Sequence, residues 1–231
     1  MPHENSPYWR YILNMTPHTQ EGSPSNPPLG ILRKIWSFFW TTTTSRESLH
    51  NGTLYTIYRD GKKILNTKNA NYSFGSLQRI MRFAFKKADY RGDGDILLLG
   101  LGAGSVPDIL RRELRLKNSI VAVDIDPMII EVAREEFGYT LHQDITTHCM
   151  DALDFVRDTK CVFGLIIIDL FINNTVPGKF YEANFWENIV QILALDGRII
   201  FNTISSTTEV ENMENVLGSL SRLGLTYEVC E

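Results

Sequence analysis

Three glycines and four aspartates carry the chemistry that is legible in this chain. Gly100, Gly102 and Gly104 lie in a GLGAG run directly after the apolar stretch Ile96–Leu99. Short continuous apolar runs mark strands buried on both faces. Glycines at such a strand end let the backbone turn sharply and let a ligand approach where a Cβ would clash. Val106–Leu116 then predicts a helix, with Pro107 in its first turn, where a missing N–H costs nothing. A second apolar run, Ile120–Val123, ends at Asp124, twenty residues after Gly104. A nucleoside-binding strand–helix–strand unit carries an acid at about that place, where it takes the ribose hydroxyls. Asp151 follows the strand Thr147–Met150, and Asp169 closes the apolar run Phe163–Ile168.

In an open parallel sheet, ligands bind at the carboxyl ends of the strands. A carboxylate accepts hydrogen bonds from two vicinal hydroxyls at once, which makes Asp124 the ribose candidate. Asp151 stands where an adenine amino group could donate to it. Asp169 stands beside the expected reacting centre, where it could hold a cationic amine or orient an acceptor group. The competing role for each acid is that of a helix N-cap. For Asp126, which precedes Pro127, the cap is the stronger reading. Two ligand types fit the glycine turn. A dinucleotide usually needs G-x-G-x-x-G, and Ser105 occupies the third glycine position. G-x-G-x-G with a downstream acid resembles instead the S-adenosylmethionine site of class I methyltransferases.

The elements that must position these residues follow from the rest of the chain. At 231 residues it is long enough for one substantial core with a small appendage. The net charge of −4 speaks against a dedicated nucleic-acid binder, which usually has a basic face. Three cysteines with no C-x-x-C suggest a reducing, cytoplasmic setting and no zinc or other metal site. No apolar run reaches membrane-spanning length, and Ile31–Trp40 does not resemble a signal peptide. Residues 1–30 hold six of the nine prolines and read as a disordered extension. Residues 31–75 form a small β unit. Within it, Thr53–Arg59 and Lys62–Leu65 flank Asp60-Gly61 as a hairpin, and Asn51-Gly52 marks an earlier turn. Residues 76–231 are the nucleoside-binding part. A helix over Leu77–Ala88 has Leu77, Ile80, Met81, Ala84 and Phe85 on one face. Helices over Pro127–Phe137, Asp154–Arg157, Asn184–Ala194 and Glu209–Leu223 alternate with strands at Phe163–Ile168 and Arg198–Asn202, and Leu225–Val229 is a last extended piece. Such alternation means an α/β fold with a parallel sheet covered on both faces.

The segments GLGAGS, VAVDIDPMIIEVAREEF, MDALDFV, GLIIIDLF and FWENIVQILALDGRIIFN together resemble the spermidine synthase family and its methyltransferase-like relatives. The resemblance covers about residues 45–220. It implies a Rossmann-like class I methyltransferase sheet preceded by a small β domain, with a tyrosine-bearing loop between them, here around Tyr72. It assigns Asp124 to the ribose and Asp151 to the adenine side. Members are often dimers, so it allows a homodimer. Methyltransferase-type sheets close with an antiparallel strand beside the fifth one. This sequence reaches Glu231 without a signal for it, so that strand is expected to be missing. Two departures bear on function. Aminopropyltransferases carry a G-G-G-D-G-G loop, and Ala103 takes the acid's place. They also carry D-x-x-D after the fourth strand; Asp169 matches the first acid, but Ile172 replaces the second, and Asn173 and Asn174 cannot supply its charge.

Both departures favour S-adenosylmethionine over its decarboxylated form, because losing the loop acid removes a repulsion against the donor carboxylate. The expected activity is methyl transfer to a small-molecule acceptor. Motifs for methylating base amino groups or cytosine are absent, so a nucleic-acid acceptor is disfavoured, and no membrane is involved. Asp169 and Tyr72 are the acceptor-side candidates; Gly100, Gly102, Gly104, Asp124, Asp151 and Gln78 are the donor-side ones. The alternatives are spermidine synthesis from putrescine and decarboxylated S-adenosylmethionine, with a carboxylate such as Glu182 reaching the amine; a non-catalytic nucleoside-binding protein; and a nicotinamide oxidoreductase, weakened by Ser105.

Overall fold

The computed structural model describes residues 10–15, 41–59, 62–67, 76–137, 144–172, 175–204 and 207–230. Strand β1 is Arg10–Met15. Strands β2 (Thr42–Ser48), β3 (Gly52–Arg59) and β4 (Lys62–Asn66) form an antiparallel sheet in that order. Helix α1 (Ser76–Ala88) leads into strand β5 (Ile96–Leu99). Then come helix α2 (Ser105–Asp108), strand β6 (Ile120–Asp124), helix α3 (Pro127–Phe137) and strand β7 (Ile145–Cys149). Helix α4 (Ala152–Asp158), strand β8 (Phe163–Ile168), helix α5 (Ala183–Gln191), strand β9 (Leu193–Ile204), helix α6 (Thr207–Arg222) and strand β10 (Glu228–Cys230) complete the order.

The main sheet has seven strands in the order β10-β1-β9-β8-β5-β6-β7, and every pairing in it is parallel. The apolar runs explain its centre. All four residues of β5 and all six of β8 are buried. Alternate side chains serve opposite faces, as the period of two demands. Ile96 and Leu98 join Met81, Phe85, Ile109 and Ile130 in one core layer. Leu97 and Leu99 join Phe185, Trp186, Ile189 and Leu220 in the other. Leu99 pairs with Val123 on one side and Ile168 on the other, so the ends of β5, β6 and β8 lie side by side. That edge is where the glycine run and the acids gather.

One expectation about the sheet needs correction. Arg10–Met15 lies within the segment read as disordered, yet it is a strand with six register pairs to β9. A chain rich in proline and serine on either side hides a six-residue strand from composition. What composition leaves out is the open edge of β9, whose unpaired backbone groups need a partner. The place beside β9 expected to lack its antiparallel strand is filled by β1, running parallel, with β10 beyond it.

Local boundaries shifted too. The helix expected over Val106–Leu116 is a single α-turn that widens at Ile109–Glu113 into a π-turn. There the Leu114 N–H donates to the Ile109 carbonyl at 3.0 Å. Arg111, in that turn, donates to the carbonyls of Leu116 and Asn118 and pairs with Asp144. Helix α5 ends at Gln191, earlier than expected, because Asp196-Gly197 is an irregularity within β9 rather than a helix stop. A Cβ at Gly197 would meet Leu193 Cδ1 at 2.7 Å, so only glycine fits there.

The β2–β4 sheet packs on α3 and the glycine run. Leu54 and Leu65 share an apolar cluster with Ala103, Ile129 and Val132. Around it, Arg46 pairs with Glu131 at 2.7 Å and Glu135 at 2.5 Å, and Lys63 pairs with Glu136 at 2.9 Å. Asn51 Nδ2 donates to Asp126 Oδ2 at 2.5 Å, and the Ser48 hydroxyl donates to the same oxygen.

Candidate active site

The site is built on a backbone contact that a side chain would prevent. Gly100 has φ +92°, and a Cβ there would lie 2.1 Å from the Asp169 carbonyl oxygen. Glycine therefore allows the β5 and β8 ends to close on each other, and Asp169 N donates to Leu99 O at 2.8 Å across the gap. Gly102 and Gly104 also adopt positive φ and carry the chain round into α2.

Asp124 ends β6 directly beneath this turn. Its Oδ2 accepts from the N–H groups of Leu101 at 3.0 Å and Gly102 at 3.4 Å. Its Oδ1 accepts from Asp126 N at 3.0 Å. Three backbone donors fix the carboxylate in place; Oδ2 already accepts two of them, and Oδ1 keeps one acceptor site for a ligand hydroxyl. Burial pushes its pKa up to about 6; the three N–H groups oppose that shift, and the charge of Asp126 adds to it. Asp126 itself is fully buried. It accepts from Met128 N at 2.9 Å, capping α3, and from Ser48 and Asn51 of the β unit. The cap reading of Asp126 is thus the structural one.

Asp151 does two structural jobs. Its Oδ1 accepts from Leu153 N at 2.9 Å as the N-cap of α4, and its Oδ2 pairs with the Lys179 ammonium. Lys179 lies in a 3₁₀ turn, Gly178–Tyr181, with its Nζ 4.9 Å from the Phe180 ring centre. The sequence offered no periodic signal for this partner; only its place in a Pro-Gly-Lys turn after β8 marks it.

Asp169 follows β8 and is bonded across to β9. Asn202 Nδ2 donates to Asp169 Oδ1 at 2.8 Å. Burial pushes the Asp169 pKa up to about 6, the Asn202 bond lowers it, and repulsion from Asp124 raises it. Asn202 was not singled out from sequence, although a polar residue closing the buried run RIIF is a readable signal. Ile172 is 36% exposed, and its backbone exchanges two hydrogen bonds with Thr175, at 2.9 and 3.1 Å. Gln78 is buried in α1, where its Oε1 accepts from Arg82 at 3.1 Å. Glu182 is exposed at the start of α5. Tyr72, Asn173 and Asn174 lie outside the described residues. Cys149, in register with Asp124, is exposed beside the site. Among the described residues no group of three or more His, Cys, Asp or Glu is placed to hold a metal ion, and no helix is long and apolar enough to cross a membrane.

The family model of the Spermine/spermidine synthase domain matches residues 81–230. The chain belongs to that family. The human eEF1A lysine and N-terminal methyltransferase is 28% identical over 121 residues, which cover 47% of this chain and 17% of that protein. The polyamine aminopropyltransferase of Vibrio vulnificus is 28% identical over 115 residues, covering 48% of this chain and 38% of that protein. The matched part is thus well under half of each relative. In fold, the chain is similar to human Methyltransferase-like protein 13 in complex with SAH, with a TM-score of 0.55, 24% identity and coverage of 64% of this chain and 73% of that one. It is equally similar to a probable spermidine synthase from Corynebacterium glutamicum, with a TM-score of 0.55, 14% identity and coverage of 79% and 67%. The relatives named are transferases of both kinds.

Proposed function

We propose that this chain binds S-adenosylmethionine and transfers its methyl group to a small-molecule acceptor, as a methyltransferase of the spermidine synthase-like group. The acceptor side carries the reading. Asp169 follows β8 there, and Ile172 presents an aliphatic side chain where an aminopropyltransferase has its second acid. A diamine cation held in that place would lack a carboxylate partner, at a cost of several kcal/mol. Ala103 carries none of this choice, because its side chain lies in the apolar cluster under the β unit, and the repulsion expected from an acid there needs a side chain turned toward the donor.

The residues present fit such a donor. Asp124 is fixed by three backbone N–H groups with one acceptor site to spare on Oδ1, and the glycine at position 100 lets the ends of β5 and β8 close so that Asp124 and Asp169 share one edge. When bound, the donor supplies a methyl group already activated on a sulfonium. Asp124 would hold the ribose. Asp151, kept in place by its cap and by Lys179, would border the adenine side. Asp169 would orient the acceptor and take up its proton, and the protein's main task would be to hold the acceptor in line with the methyl.

The test is a label-transfer screen. The protein is incubated with methyl-tritiated S-adenosylmethionine and a library of small amines, hydroxy acids and thiols. Label in a small molecule, lost in Asp169→Ala, supports the proposal. Label confined to protein, or aminopropyl transfer from the decarboxylated donor, overturns it.

A further inference from the structure

The carboxamide of Asn202 is fully buried, and its Oδ1 has no hydrogen-bond partner among the described residues. Its Nδ2 bonds Asp169. Buried amides ordinarily use both ends, and the second bond is what fixes which end points where. Here no second bond does so. The orientation of the amide therefore depends on what Asp169 offers it. An ionised carboxylate only accepts, and it draws the NH₂ group. A protonated acid has an O–H to give, and the carboxamide oxygen is then the better partner.

The surroundings leave this pair without another charge to settle it. Asp124 is the charged group that reaches Asp169, and its influence is repulsive. From β5 the neighbour is the backbone of Gly100, and from β9 it is Asn202. Lys179 is engaged by Asp151. On the next residue of β9, Thr203 Oγ1 lies 2.7 Å from the Tyr181 hydroxyl.

We infer that Asn202 is a positioning residue for the transfer step, turning its amide to follow the charge of Asp169. It gives Nδ2 to the carboxylate and Oδ1 to the acid, so that Asp169 can take up and release a proton where no cation among the described residues holds it ionised. This rests on the reading that Asp169 faces the acceptor. In the step, the acceptor's hydrogen passes as a proton to the Asp169 carboxylate. A bond forms from the acceptor atom to the donor methyl carbon, the carbon–sulfur bond breaks, and its electron pair stays on sulfur. Asp169 later returns the proton to solvent.

The test needs no acceptor. Carboxyl-labelled aspartate and amide-labelled asparagine are followed by NMR from pH 4 to 9, with Asp169→Asn and Asn202→Leu assigning the two signals. The inference expects the Asn202 NH₂ signal to titrate with the same midpoint as the Asp169 carboxyl. It also expects Asn202→Leu, which removes the donor and keeps the volume, to raise the Asp169 midpoint by about one pH unit. An Asn202 signal that ignores the Asp169 titration overturns it, as does an unmoved midpoint in a folded Leu variant. If the Leu variant does not fold, the wild-type titration alone decides. Binding of S-adenosylmethionine by the wild type is measured in parallel. Failure to bind would remove the methyltransferase reading while the titration still reports on the pair.

Discussion

Restoring the aminopropyltransferase acid at Ala103 should damage the fold rather than change the donor. Ala103 is 2% exposed and shares its cluster with Leu54, Leu65, Ile129 and Val132, none of which can pair with a carboxylate. Burial of that kind raises a carboxyl pKa by roughly three units or more. At about 1.36 kcal/mol per unit, Ala103→Asp should cost about 4 kcal/mol at pH 8, where the buried group is forced to ionise. The sign with pH is fixed. The folded pKa lies above the unfolded one, so the variant binds more protons when folded and loses stability as pH rises between the two values. A shift of about three units makes the extra loss between pH 5 and pH 8 roughly 2–3 kcal/mol. The assay is urea unfolding followed by the fluorescence of Trp186, buried against Phe185 and Phe201. With an m value of about 2 kcal/mol per molar, the midpoint at pH 8 should fall by about 2 M. Ile172→Asp, at a partly exposed turn, should move it by less than about 0.5 M. An Ala103→Asp protein with a wild-type midpoint at both pH values would refute the placement of Ala103. It would return that position to the ligand pocket.

Other consequences follow from the same geometry. Asp124 and Asp169 each have a pKa raised to about 6, so their charges oppose folding. Asp169→Asn should gain about 2 kcal/mol at pH 8 and almost nothing at pH 4, by urea unfolding, while methyl transfer falls at least tenfold. Equal stability changes at both pH values would contradict the burial argument. Cys149 is exposed and in register with Asp124, whereas Cys161 is exposed away from it on the loop before β8. S-adenosylmethionine should slow alkylation of Cys149 and leave Cys161 unchanged, as read by peptide mass spectrometry; equal protection of both would argue against a nucleoside at that edge. Asp126→Ala removes a cap and the carboxylate to which Asn51 and Ser48 donate, and it should cost about 2–4 kcal/mol in the same unfolding assay.

The parts of the molecule governed by local pattern were readable, and those governed by distant partners were not. Phe163–Ile168 and Pro127–Phe137 occur as expected because a continuous apolar run and a Pro-led amphipathic stretch each have one good solution. The glycine turn and Asp124 were readable for the same reason, since the strand, turn and acid must fall at fixed distances to work together. Strand β1 was not, because what holds Arg10–Met15 is the edge of a strand nearly two hundred residues later. Asp151 looked like a free ligand acid, and its pairing with Lys179 depends on how a 3₁₀ turn folds back over α4. The bond that the Gln78 oxygen accepts from Arg82, one helical turn on, was likewise not legible. Asn202 ended a strand whose apolar residues drew the attention, and only the register of β8 against β9 places it on Asp169.

The most direct test of the central claim is thermal unfolding of the wild type and Asp124→Ala with S-adenosylmethionine, its decarboxylated analogue and NAD. A ligand at about 100 times its dissociation constant adds roughly 2.7 kcal/mol, which for a chain of this size is a rise of roughly 5–10 °C in Tm. The account predicts that rise with S-adenosylmethionine, little with the other two, and none in Asp124→Ala. A larger rise with the decarboxylated form would contradict the reading of Ile172 and return the chain to polyamine synthesis.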